Sequence, residues 1–436
     1  MDKQTDQTRS SSTATAMPNN RWRSDFAMFT HGQKNAKLCA GYQQQLPQAE
    51  QPLHYLDSAA TCLIPQTVVE STLHFQQFQH ANSHRGFYSL SANLTAGVEQ
   101  VRDKVANFIG AGSRDNIVFT SNTTQAIHLA AQGYLRHVMK AGDNVVISVA
   151  EHHANFLPWQ QLAAALGAQL RVVPLCENAR VDLTELAKQL DNNTKLVALN
   201  HMSNVLGTVN DIAQIAALTK TFGAKLLVDG AQYVAHHTLN VDALGCDFYA
   251  FSGHKLYAGY GAGVLYVADD ALKAMVPVVL GGGIVQKVTE NSATWLDGAR
   301  KLEAGSLNSQ ALLALSAAIN YLEQARCDGS EAYLEALSNE LYRQLNQIDA
   351  VQLLTPNATP IVAFNVCGIH SHDLATVLSE CHVAVRAGHH CAQPLLRNLG
   401  VNSCVRVSLG LYNDQRDIDA LIKAIKKAIT LFGIDN

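Results

Sequence analysis

The sequence predicts an α/β protein with a large domain on a mostly parallel sheet and a smaller α+β domain. Three observations carry this prediction. From about residue 57 to residue 267, short apolar runs alternate with helical patterns, as strands do when helices cover both faces of their sheet. The chain has 436 residues, more than a single core usually serves. Hydrophobic residues make up 47% and charged residues 16%, which suits a large buried core and not a disordered or fibrous chain.

Residues 1–20 are rich in Ser, Thr, Gln and Asn, lack hydrophobic periodicity and read as a disordered leader. A transit peptide would carry more Arg and a clear amphipathic helix. Residues 21–56 are assigned to the smaller domain and 57–308 to the larger. In the larger domain the strand-like runs are 117–120, 145–148, 170–174, 196–199, 225–228, 247–251 and 264–267. Helical patterns fall at 98–109, 125–138, 156–166, 183–190 and 212–222. Residues 281–308 have weak periodicity and are expected to be irregular. The smaller domain resumes with helices near 310–324 and 331–345. Its tail (361–366, 384–386, 405–409 and 418–431) mixes short strands with helices.

A net charge of −4 gives no sign of nucleic acid or an anionic membrane as partner. No apolar stretch is long enough to span a bilayer. The 9 cysteines are odd in number, contain no Cys-x-x-Cys pair and follow no secretory signal. This pattern indicates a reducing cytoplasm, with most thiols serving as small core hydrophobes.

The chemistry gathers where strands end. One apolar run stops at Asp229-Gly230-Ala231-Gln232, and the next stops at Ser252-Gly253-His254-Lys255. In open α/β sheets, ligands bind at the carboxyl ends of strands. An Asp and a Lys delivered there suit a pyridoxal phosphate site, the Lys as its Schiff-base partner and the Asp keeping the pyridinium nitrogen protonated. Either residue alone reads better as half of a salt bridge at a strand end.

Companions shift the balance. Ser121-Asn122-Thr123-Thr124 follows a strand and opens a helix, as a phosphate cradle or an ordinary N-cap would. Glu151-His152-His153-Ala154-Asn155 also lies between a strand and a helix. Its imidazoles could stack on a cofactor, cap the helix or form part of a zinc site, though without a third ligand at standard spacing no metal is assigned. Asn204 follows the run 196–199 and could donate to a phenolate or a carboxylate, or start the next helix. Arg386-Ala387-Gly388-His389-His390-Cys391 puts a thiol beside two imidazoles and an Arg, on a loop whose surroundings favour a thiolate nucleophile. Arg406 sits in an apolar strand, where a ligand carboxylate is a natural partner for its charge.

With these residues in place the chain resembles a cysteine desulfurase of the class V aminotransferase family, in the branch of the SufS and CsdA enzymes and nearer to CsdA. The likeness runs from Tyr55 to Leu431. Its motifs are Leu56-Asp57-Ser58-Ala59-Ala60, His84-Arg85-Gly86, Glu151 to Asn155, Ser252 to Lys255 and Arg386 to Cys391.

The resemblance implies fold-type I, a homodimer and pyridoxal 5'-phosphate as cofactor. It further implies that Lys255 is the Schiff-base lysine, that His152 stacks on the ring, and that Asp229 partners the ring nitrogen. Gln232 and Asn204 fall near the phenolic oxygen, and Thr123, Thr124, Ser252 and His254 at the phosphate. Arg406, with His84, Arg386 and Asn204, takes the substrate carboxylate, and Cys391 accepts sulfur. The implied substrate is L-cysteine, with L-selenocysteine or cysteine sulfinate as alternatives on the same scaffold, and the implied acceptor is a SufE-like protein. Two departures stand out. Ser306-Leu307 replaces Thr-Pro, keeping the hydroxyl that reaches the partner subunit's phosphate, and Tyr260 stands where relatives carry a Thr.

Overall fold

The computed structural model describes residues 20–30, 52–83 and 86–434. The expected leader therefore lies outside the described residues except for Asn20. That residue is tied to the fold: its Nδ2 donates to the carbonyls of Leu411 and Asn413 at 2.9 and 2.6 Å.

The strands are β1 His54–Tyr55, β2 Ile117–Thr120, β3 Asn144–Ser148, β4 Gln169–Val173, β5 Thr194–Asn200, β6 Lys225–Asp229, β7 Phe248–Ser252, β8 Gly263–Val267, β9 Val285–Val288, β10 Ala293–Trp295, β11 Val351–Leu353, β12 Ile361–Val366, β13 Val383–Ala384, β14 Arg386–Gly388 and β15 Cys404–Ser408. Seven of them form the large sheet, in the order β2-β8-β7-β6-β5-β3-β4, and only β8 runs against its neighbours.

Alternation of side chains along each strand builds a core on both faces. In β5, Val197 and Leu199 join one apolar cluster while Leu196 and Ala198 join the other. The helices between strands close these clusters, which is why the strands read as continuous apolar runs. Chain order changes direction between β3 and β5, so a crevice opens beyond their carboxyl ends.

Two expectations need correction. Residues 281–308 are not simply irregular. β9 and β10 pair as an antiparallel hairpin, and a short 3-10 helix covers Gly298–Leu302. The β9–β10 residues are mostly exposed, so they carry no strong apolar pattern. The helix expected at 125–138 starts at Thr123, widens to a π-helical segment over Ala131–Leu135 and ends as Arg136–Val138. Within that segment the Gly133 carbonyl accepts a bond from Val276 N–H at 2.9 Å, and an added Cβ at Gly133 would crowd Val276.

The smaller sheet is antiparallel, ordered β11-β12-β15-β14. The parallel pair β1–β13 feeds into it: Leu56 N–H donates to the Ala384 carbonyl at 2.9 Å, and Ser408 N–H to the Leu56 carbonyl at 2.8 Å. Residue 57 thereby arrives beside the strand that carries Arg406.

Candidate active site

A cavity of 460 Å³ opens at the carboxyl ends of β2, β3, β5, β6 and β7, closed on its far side by Arg386, His390, Cys391 and Arg406. At its base, the helix Thr123–Ala130 is capped by Asn122, whose Oδ1 accepts from Gln125 N–H at 2.9 Å. The capping need is thus met by Asn122, which leaves Thr123 and Thr124 free to line the cavity. The Ser252 hydroxyl lies 2.6 Å from the Thr123 hydroxyl and accepts from Thr123 N–H at 2.7 Å. His254 stands beside them with its Nδ1 buried and without a partner. Hydroxyls, an imidazole and a helix N-terminus together make an anion cradle.

Asp229 ends β6, buried in the cavity wall, and its Oδ1 accepts from Ala231 N–H at 3.0 Å. Burial raises its pKa above the usual carboxylate value, and Lys255 and the Ala231 N–H pull it back down. Burial lowers the Lys255 amine, opposed by Asp229 and reinforced by Arg406. A lowered amine pKa favours the uncharged form of Lys255, which is the nucleophile.

His152 Nδ1 accepts from Ala154 N–H at 3.0 Å, so the ring does cap its short helix and still lines the cavity. Burial, then Lys255, His153 and Arg406, push it down to about 3, so the ring is neutral. Behind it Glu151 is fully buried without a cation. Ser148 Oγ, Asn200 Nδ2 and Asn155 Nδ2 donate to it at 2.6, 2.9 and 2.6 Å. Burial raises Glu151 to about 8 against those three donors.

Asn204 neither starts a helix nor stands free: the next helix is capped by Asp211. Its Nδ2 donates to the His390 carbonyl at 2.8 Å and its own carbonyl accepts from Arg406 at 2.7 Å. Gln232 Nε2 donates to the Ala59 carbonyl at 2.8 Å. Arg406 is buried, and its unforeseen partner is Asp57, whose Oδ1 accepts at 3.2 Å. Asp57 Oδ2 accepts from Arg386 at 3.0 Å.

Cys391 is exposed, and both it and His390 have positive φ (53° and 50°). Cys62, Cys246 and Cys404, by contrast, are buried thiols pushed up to about 12 by that burial. Burial and then Arg406 push His390 down to about 3, so the nearby positive charge comes from the arginines and not from this imidazole.

One expected site residue is not described and another stands apart. His84 lies outside the described residues. Ser306 lines a neighbouring cavity of 310 Å³, which meets the main one at Ser121 and Gly261. Tyr260 stacks on His254 with ring centroids 5.0 Å apart and remains largely exposed. Among the described residues, no three His, Cys, Asp or Glu side chains stand close enough together to hold a metal ion.

The aminotransferase class-V model matches residues 54–421. The chain belongs to this family. The curated cysteine desulfurase of Yersinia pestis (strain Pestoides F) is 43% identical over 385 residues, covering 88% of this chain and 95% of the relative. Among solved structures, the cysteine desulfurase CsdA from Escherichia coli is 38% identical with a TM-score of 0.82, covering 87% of this chain and 95% of that one. The cysteine desulfurase from Thermococcus onnurineus NA1 is 34% identical with a TM-score of 0.83 over the same shares. The fold is accordingly that of the fold-type I class-V enzymes, and the cofactor is pyridoxal 5'-phosphate. The donor set fits it: His254, with a buried Nδ1 that has no partner, lines the same cavity as the hydroxyl cradle, and a buried carboxylate stands near a buried lysine.

Proposed function

We propose that this class-V enzyme is a cysteine desulfurase. It takes sulfur from L-cysteine, releases L-alanine and holds the sulfur as a persulfide on Cys391 for a SufE-like acceptor protein. L-Selenocysteine and cysteine sulfinate are neighbouring substrates on the same reading. The observation that carries it is an exposed cysteine on a strained loop, opening onto the cavity of a lysine, a carboxylate and a buried arginine.

Thr123, Thr124, Ser252 and His254 would hold the cofactor phosphate. Asp229 would hold the ring nitrogen protonated, with His152 against the ring face and Gln232 and Asn204 near the phenolic oxygen. When bound, pyridoxal phosphate supplies an electron sink for the bonds at the substrate Cα. Lys255, biased to the neutral amine, anchors the cofactor and then carries a proton from Cα. Arg406, with Arg386 at the rim and with His84, would orient the substrate carboxylate. The Cys391 thiolate attacks the substrate sulfur. The S–S bond forms as the C–S bond breaks, and the carbon retains the electron pair and takes a proton to become alanine.

The same reading makes residues 57–308 the cofactor domain and 21–56 with 309–436 the smaller one. It also makes the active form a homodimer in which Ser306 serves the partner subunit's phosphate. Exposed Phe78, Phe87, Tyr88, Val279 and Leu280 support an apolar contact of that kind. A cytoplasmic setting fits the cysteines, all free thiols among the described residues.

The test is Cys391→Ser. The variant should keep the cofactor's visible band and its shift on adding L-cysteine, yet form no alanine from cysteine and no persulfide by mass spectrometry. Alanine at the wild-type rate would refute the role given to Cys391.

A further inference from the structure

β14 and β15 are antiparallel neighbours, and their register sets Arg386 directly opposite Arg406. Like charges facing one another across a ladder are destabilising. Arg406 is buried to 4% of its side-chain surface, whereas Arg386 keeps 53%. One carboxylate bridges them. Asp57 Oδ2 accepts from Arg386 Nε and Nη2 at 3.2 and 3.0 Å, and Oδ1 accepts from Arg406 Nη2 at 3.2 Å. Asp57 is fixed in turn: Leu56 is hydrogen-bonded to both Ala384 and Ser408, and Asp57 bridges to Ser408 in parallel. Arg406 Nη1 is committed to the Asn204 carbonyl at 2.7 Å, and its buried Nε has no partner.

We propose that Asp57 is a positioning residue for the substrate carboxylate. It holds the two guanidinium groups side by side and leaves the trio one positive charge, so that the rim accepts a single carboxylate and discriminates against dianions. The proposal rests on reading Arg406 as the carboxylate anchor. Asp57 does not touch the reacting atoms. It sets the geometry and the charge count of the groups that do.

The experiment uses the cofactor-loaded enzyme and measures dissociation constants for propionate and malonate by calorimetry, with kcat and KM for L-cysteine measured separately. Asp57→Asn keeps the shape and removes the counter-charge. Its affinity for malonate should rise about tenfold, the effect of one freed charge-assisted donor, and rise more than that for propionate. With cysteine, kcat should fall while KM does not rise, because the carboxylate is held but misplaced. Adding Arg386→Gln to Asp57→Asn restores one net charge and should return malonate affinity towards the wild-type value.

A purely structural role predicts a lower melting temperature with unchanged malonate-to-propionate preference, and that result overturns the proposal. If Asp57→Asn does not fold, Arg386→Gln alone decides. With Asp57 left facing a single arginine, propionate should bind more weakly, and unchanged affinity overturns the proposal. If wild-type enzyme makes no alanine, the desulfurase reading fails on its own, because the binding constants do not depend on turnover.

Discussion

Arg102→Met breaks a buried ion pair at the edge of the large sheet, and the consequence can be worked out atom by atom. β2 is the last strand of its sheet, so its outer backbone groups have no strand to pair with. Arg102 and Glu303 act in place of one. Arg102 Nη1 donates to the Ile117 carbonyl at 2.6 Å, and Glu303 Oε1 accepts from Phe119 N–H at 2.6 Å. The two side chains join each other through paired bonds of 2.8 Å, and the guanidinium lies 4.4 Å from the Phe119 ring. Removing the arginine leaves a buried carboxylate uncompensated, at a cost of about 3–5 kcal/mol. Adding Glu303→Gln replaces the lost charge balance: the amide oxygen still accepts from Phe119 N–H, and its NH2 can reach towards Ile117. The double variant should therefore lie within about 1–2 kcal/mol of wild type. Equilibrium urea unfolding measures both. Because Glu303 begins the turn that carries Ser306, the proposed phosphate ligand, the single variant should also bind pyridoxal phosphate more weakly. A single-variant cost below about 1 kcal/mol, or a double variant as unstable as the single, would refute the strand-surrogate argument.

Glu151 gives a pH test. Its folded value of about 8 lies above the free value of 4.5, so the neutral carboxyl's contribution is fully present below 4.5 and is lost as pH rises through about 8. Stability should decline across that window, and Glu151→Gln should flatten the decline in urea midpoints; an unaltered slope means that another group titrates. Gly230→Ala should cost about 1–3 kcal/mol by overpacking. The new methyl would overlap the Tyr249 ring, whose hydroxyl lies 2.9 Å from His201 Nδ1. The same crowding should shift Asp229 and weaken cofactor binding; an unchanged melting curve and cofactor titration would count against the packing argument.

The parts of the fold visible in the sequence are those with strong apolar patterning. β2 and β12 have the bounds that their apolar runs suggest, because burial leaves little choice of residue there. The β9–β10 hairpin escaped notice because its exposed residues need no such pattern. At the site, strand ends marked Asp229 and Lys255, since a polar group ending an apolar run is conspicuous. Asp57 belongs to the motif Leu56 to Ala60, but nothing in that motif reveals its task. The bond to Arg406 spans 349 positions, and nothing local announces it. Glu151 was seen only as a neighbour of His152, because three donors gathered from β3, β5 and the turn after Glu151 are a tertiary fact.

The Cys391 loop explains why these long-range contacts matter for chemistry. Two consecutive non-glycine residues in left-handed geometry are strained and persist only where their surroundings hold them. Here two hydrogen bonds do so from opposite sides. Asn204 Nδ2 holds the His390 carbonyl at 2.8 Å, and His153 N–H holds the Cys391 carbonyl at 2.8 Å. Asn204 also receives Arg406, and His153 adjoins His152. The loop is thus anchored once to the residue that braces Arg406 and once to the residue beside His152. Its thiol stays exposed while its backbone remains indexed to the cavity. The sulfur-carrying role proposed for Cys391, entering the site and being reached from outside, needs a backbone fixed at such points and a side chain left free.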